Sequence, residues 1–492
     1  MEGSTTAAPR SFDHLREHSI GLAQVVFQSV THMAPAAAVA YSIYISVPYS
    51  RQALPLSVGL ALIACICAAT AIGQLAKLFP SAGGLYTYAG RTLGPWAGVL
   101  VAWLFIGFQP LVAPFLYLEF GWAMSEVFKS ETGFDYTGQW WIWVLVAAAI
   151  VFFLTYRDVR LSTNAGVLLG VFEIGVFLAL SAWMLLSNHW VLQAFNPAYA
   201  EAGKFNGVFK GMVFAILAFI GFEASAPLGE EARNPRRTVP RAVVYSCLGV
   251  GLFYVFCSYA WVVGTGFNGF TEATLAQANP WRHLAEVFWG GGWVLIFFAI
   301  INSALANSNA GVNAASRVIY AMGRNGVLPR AFGETHPVHK TPHVAIIAQT
   351  VLGIVVALLL GWKWSPLNAF GTLSYALTSL VIVVYMTVCV STIVYYRREE
   401  AAAFNVWLHG IVPALGALAF VPVLYYQFHP LAPYPLRYGN WGAILLFSLS
   451  VLVTVFMALR RRDRLNANLL FVADAETADD RPPETAPGVV PA

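Results

Sequence analysis

The sequence predicts an all-α polytopic membrane protein with about twelve transmembrane helices. Three observations carry this expectation. The 492 residues are 58% hydrophobic and only 11% charged, with mean hydropathy +0.65, far from the composition of a soluble domain. Apolar runs of about 20 residues recur along nearly the whole chain, where barrel strands would show weak ten-residue alternation. The first and sixth runs are both interrupted at mid-depth. Because five is odd, a second set of five spans lies inverted relative to the first.

Residues 1–19 are polar and form the expected cytoplasmic N-terminal segment. Span 1, residues 20–49, would measure about 45 Å as one helix, against a hydrocarbon core of about 30 Å. It carries Thr31, His32 and Pro35 at mid-depth, so a break there is expected. It is too long for a signal-peptide core and is expected to remain in the mature protein. Span 2 is 55–78, followed by a loop with Gly83-Gly84. Span 3 is 96–124, interrupted at Gln109-Pro110 and Pro114. Span 4 is 140–156, and span 5, 162–186, places Glu173 near mid-depth.

Span 6, residues 208–228, holds Gly221, Glu223 and Pro227 in an apolar run. A relaxing glycine, a proline without a donor and a carboxylate are tolerated at that depth only where the backbone lines an enclosed cavity. Span 7 is 242–263. The segment 267–288 around Pro280-Trp281 is expected to fold over the outer mouth as a lid. Span 8, 293–322, is rich in small and amide residues, including Asn302, Ser303, Asn307, Ser308 and Asn309, which suits close packing or a polar path. Spans 9 (344–360), 10 (367–395), 11 (406–428) and 12 (441–459) complete the 20–460 transmembrane domain. The acidic, Pro-rich 461–492 reads as a disordered cytoplasmic tail.

If the spans alternate, every Lys and Arg except Arg51, Lys129, Lys204, Lys210, Arg282, Lys363 and Arg437 falls on the side of the N-terminus. Both termini are therefore expected in the cytoplasm, and the basic clusters are topology determinants rather than a nucleic-acid surface. The five cysteines all fall within spans and read as small apolar packing residues. Gly264 to Gly269 matches a dinucleotide glycine pattern but follows a span instead of a strand. His336, His339 and His343 lack companion metal ligands. With no Walker motif and no HExxH, neither a cofactor nor an enzyme is implied.

Four passages resemble the amino acid-polyamine-organocation permease superfamily: FPSAGGLYTYAGRTLG from Phe79, AFIGFEASAPLGEEARNPRRTVPRAV from Ala218, NSNAGVNAASRVIYAMGRNGVLPR from Asn307 and HPVHKTPHVA from His336. The resemblance covers roughly residues 15–460. It implies two inverted five-helix repeats (spans 1–5 and 6–10) with two peripheral helices, alternating access around broken helices 1 and 6, and secondary transport of an amino acid or related amine across the plasma membrane. It places the substrate carboxylate at backbone N–H groups from Thr31 through His32, Met33, Ala34 and Pro35 to Ala36. The amino group would meet carbonyls from Phe219 through Ile220, Gly221 and Phe222 to Glu223. Half-helix N-termini favour anions and unwound carbonyls favour cations, so the physics agrees.

Glu173 stands where some proton-coupled members carry lysine. An acid at mid-depth costs about 2.5–3.5 kcal/mol on insertion scales and is expected either to couple a proton or to sit protonated against a neighbouring helix. Glu223 is open among binding an ammonium, binding a proton and capping the broken helix. His32 is expected to be a pH-sensitive gate or a neutral, hydrogen-bonded filler. Asn302, Ser303 and Asn307 are placed along the path beside Glu173. Glu119 is assigned to the outer interface, and Glu230, Glu231, Arg233, Arg236, Arg237 and Arg241 to a charged inner loop. Proton-coupled uptake is the leading expectation, exchange of amino acids or polyamines the alternative, and a channel or receptor without stoichiometric coupling the reading from a different class.

Overall fold

The computed structural model describes residues 15, 19–135, 137–157, 159–201, 205–277 and 279–460. The expected N-terminal segment, apart from Leu15 and Ser19, and the expected tail lie outside the described residues. We call the side from which span 1 departs proximal and the opposite side distal.

Span 1 is a helix, Leu22–His32, that stops at Met33 and restarts at Pro35. Ala34 between them has φ +49°, a left-handed conformation that breaks the ladder, and Pro35 is preset for the first helical position. Span 2 is Leu54–Ala76. Span 3 is Pro95–Phe108, a 3₁₀ turn Gln109–Leu111, and Val112–Thr132; Pro110 removes a ladder donor at that turn. Spans 4 and 5 are Trp140–Arg157 and Val159–Ser187. Span 6 is Phe205–Phe219 followed by a 3₁₀ segment, Phe222–Leu228. Span 7 is Pro235–Thr265, seven residues longer on the proximal side than hydropathy predicts, because Arg236, Arg237 and Arg241 ride on helix that continues beyond the apolar run. Spans 8 to 12 are Trp293–Arg324, His343–Trp364, Pro366–Arg398, Val412–Phe428 and Arg437–Arg460.

Among the described residues, eleven helical stretches are long and apolar enough to cross a membrane. Span 1 is not counted as a separate stretch because its break leaves a half-helix of 11 residues, about 16 Å, well short of the core.

The neighbours reveal the inverted repeat. Span 5 packs on spans 7 and 8 as span 10 packs on spans 2 and 3; span 1 packs on span 7 as span 6 packs on span 2; span 4 packs on span 8 as span 9 packs on span 3. Shifting every number by five turns one set of contacts into the other. Spans 11 and 12 lie outside this core, span 11 against spans 2, 6 and 10 and span 12 against spans 3 and 10. Large apolar side chains such as Leu168, Leu359 and Leu452 face outward, as lipid contact requires.

The segment expected as a lid forms two short helices, Phe270–Leu275 and Pro280–Trp289. It is anchored, since Trp281 is wholly buried against Phe177 and Trp261, with ring centroids 4.8 and 5.5 Å away. Arg282 pairs with Glu131 and Glu286 and lies 4.1 Å over the Trp293 ring.

Candidate functional site

The breaks of spans 1 and 6 meet. Gly221 has φ +121°, and a Cβ placed on it would lie 2.6 Å from the carbonyl carbon of His32 and 2.7 Å from its oxygen. Only a glycine supplies both that conformation and that approach. On the proximal side of this crossing, the Ser29 hydroxyl donates to the Phe222 carbonyl (2.8 Å) and accepts from the Ser225 amide (3.1 Å), tying the two half-helices together.

Breaking a helix frees backbone groups. The carbonyls of Phe219 and Ile220 enter no backbone hydrogen bond among the described residues, and Pro35 leaves the amides of Ala36 and Ala37 as the first donors of the distal half of span 1. The Tyr254 hydroxyl of span 7 reaches two freed carbonyls at once, Met33 of span 1 and Ala218 of span 6. One hydroxyl has a single proton, so it satisfies one of them at a time.

Glu223 is buried and points back at its own break. Its Oε2 accepts from the Gly221 amide (3.0 Å) and the Tyr385 hydroxyl (2.6 Å), while Oε1 has no partner. This is the geometry of a cap. His32 is also buried, bridging three spans: Nδ1 lies 2.7 Å from Asn307 Oδ1 and Nε2 lies 2.7 Å from Gln109 Nε2. An amide oxygen only accepts and an amide nitrogen only donates, so these partners fit a neutral ring protonated on Nδ1. Replacing His32 by Gln, which keeps one donor and one acceptor, is expected to preserve the pH profile of transport; initial uptake rates across a pH series check this, and a displaced profile would count against the filler role.

Glu173 has no exposed surface. Gly170, one turn before it, brings span 5 against Thr31, where an added Cβ would stand 3.3 Å from the Thr31 methyl, so Glu173 lies level with the break in span 1. Asn302 donates to the Leu169 carbonyl at 3.1 Å and reaches Glu173 Oε2 only at 3.5 Å, the outer limit of a hydrogen bond. Glu173 Oε1 and the buried Ser303 hydroxyl have no partner. The structure therefore brings Asn302 to Glu173 of span 5 and Asn307 to His32 at the break in span 1.

The charged loop is more than a topology determinant on the proximal side. Glu231 forms a two-point ion pair with Arg317 of span 8, both 1% exposed. Glu230 pairs with Arg324 and also accepts from the Ala82 amide (3.0 Å). Ser19 and Ile20 donate to the Glu231 carbonyl and Arg233 donates to the Ile20 carbonyl, so the start of span 1 is stitched to the loop after span 6.

Tyr254, Tyr385 and the partner of Glu231 escaped the sequence reading. Tyrosine is common at membrane interfaces and gives no local sign of reaching a distant break. Gln109 did carry a signal, an amide beside a proline inside an apolar span. Glu119, assigned to the outer interface, is buried, 4% exposed, with Oε1 lacking a partner.

The family model described as amino acid permease matches residues 20–459. The chain is 27% identical to the branched-chain amino acid permease BcaP of Bacillus subtilis over 67% of its length and 73% of the relative's. It is 26% identical to the low-affinity putrescine importer PlaP of Escherichia coli, over 60% of this chain and 64% of that one. The serine/threonine exchanger SteT of Bacillus subtilis is 25% identical, over 70% and 76% of the two chains.

Proposed function

Because the chain belongs to the amino acid permease family, we propose that it carries an amino acid or related amine across the plasma membrane by secondary active transport, with both termini cytoplasmic and uptake driven by a proton. The observation that carries this reading is the crossing at Gly221 and His32, where two interrupted helices of opposite direction abut. A substrate held there faces donors at the start of one half-helix, Ala36 and Ala37, and acceptors at the end of another, Phe219 and Ile220. Aligned peptide dipoles make the first end favourable to a carboxylate and the second favourable to an ammonium. Met33 and Phe222 would supply apolar wall. The relatives' names span branched-chain amino acids, putrescine and serine or threonine, so the shared element is the amine.

Alternating access then requires one side to be shut. The Glu231–Arg317 and Glu230–Arg324 pairs would hold the proximal side closed in the state described, and their opening would release substrate to the cytoplasm. Glu173, buried level with the break and poorly partnered, is the group proposed to take the coupling proton.

Purified protein in liposomes, offered a panel of amino acids and amines under separate H⁺ and Na⁺ gradients, tests the proposal. Accumulation under a proton gradient alone supports symport; uptake that occurs only with substrate preloaded on the other side supports exchange, and a non-saturating current would overturn the carrier. Glu173→Gln is expected to abolish accumulation driven by pH while leaving exchange of internal for external substrate. Undiminished proton-driven accumulation in that variant would remove Glu173 from the coupling role.

A further inference from the structure

On the distal side a cavity of about 300 Å³ opens among the far half of span 1, the end of span 3 and the start of span 10. Tyr41, Tyr44, Trp122 and Phe370 line it together with Glu119. Tyr41 is about 10 Å further along span 1 than Ala34, so this space is separate from the crossing of the breaks. We propose that it is a second binding site, for a primary alkylammonium group, with Glu119 as its anionic ligand.

The chemistry follows from what is left unsatisfied. Glu119 Oε1 and the Tyr41 hydroxyl are both buried and have no hydrogen-bond partner. A carboxylate removed from water without a partner is costly, and a cation that donates hydrogen bonds is the ligand that offsets the cost. The Tyr41 ring meets those of Trp122 and Phe370 edge-on at 5.4 and 6.5 Å, building an aromatic wall whose faces attract cations. A single carboxylate among aromatic rings cannot meet the six or more oxygens of a hard metal ion, whereas an alkylammonium uses the acid for its head and the rings for its tail.

The test is protection from labelling and needs no transport, so its failure and failure of the carrier reading are distinguishable. Asn368 lines the cavity and is exposed, while all five native cysteines are buried. In the full chain bearing Asn368→Cys, n-butylammonium chloride is expected to slow reaction with a membrane-impermeant thiol reagent about tenfold relative to equal sodium chloride, while butanol and sodium butyrate do not. Tetramethylammonium, which cannot donate, is expected to protect weakly. Adding Glu119→Gln should raise the half-protecting butylammonium concentration about tenfold or more. Equal protection by butanol and butylammonium, no protection by either, or protection unchanged by Glu119→Gln overturns the site. If that double variant does not fold, the comparison of ligands in Asn368→Cys alone still decides.

Discussion

Gly221→Ala is expected to remove substrate accumulation while the protein still inserts in the membrane. Two costs act together. At φ +121° an L-residue with a Cβ is strained by about 1–3 kcal/mol. The added carbon would also lie 2.6 Å from His32 backbone, which cannot rotate away as a side-chain tip would, and overpacking of this kind costs about 1–3 kcal/mol. The lower sum, about 2 kcal/mol, already reduces the population of the assembled crossing about 30-fold. Uptake into proteoliposomes and thermal unfolding measure the effect. Gly133 is the control: it also has positive φ, +74°, but nothing stands within 4 Å of its added Cβ, and asparagine tolerates that conformation. Gly133→Asn should therefore be close to wild type. Full accumulation by Gly221→Ala would mean that the two breaks need not touch.

The contrast between these glycines shows what sequence could and could not convey. Both breaks were legible, because a break needs local chemistry: Pro35 beside polar residues in span 1, and Gly221, Glu223 and Pro227 in span 6. Span limits were legible wherever lipid sets them, and strayed where helix continues into water, as at Pro235–Thr265. Membership in two inverted repeats followed from the count between the breaks. Partnerships were not legible. Tyr385 lies 162 residues from Glu223, and Arg317 lies 86 from Glu231; no spacing rule links positions joined only by tertiary packing. For the same reason the sequence left Glu223 open among three roles and gave no sign of the capping contacts that it makes with the Gly221 amide and Tyr385. Depth along span 3 placed Glu119 toward the distal end, where it lies beside Pro366 and Leu367, but not its burial, because distance from one end does not say which neighbours cover a side chain.

Glu231→Gln is expected to have the second large effect, on the proximal side. It leaves the Arg317 guanidinium buried without its anion, a change that typically costs about 3–5 kcal/mol because an uncompensated charge remains. The partly exposed Glu230–Arg324 pair is screened by water, and Glu230→Gln should cost about 1 kcal/mol or less. If the buried pair only supports the fold, Glu231→Gln lowers the unfolding temperature and does nothing else. If it also holds the proximal side shut, a cysteine at Ser81, which is buried there, should become open to thiol labelling in the same variant. The double change Glu231→Gln with Arg317→Met separates the two. It removes both charges, so stability should return, while the lock is still missing and Ser81→Cys should stay labelled. Slow labelling in the recovered double variant would confine the pair to a structural role and leave the proximal closure to the backbone stitches between Ile20 and the loop after span 6.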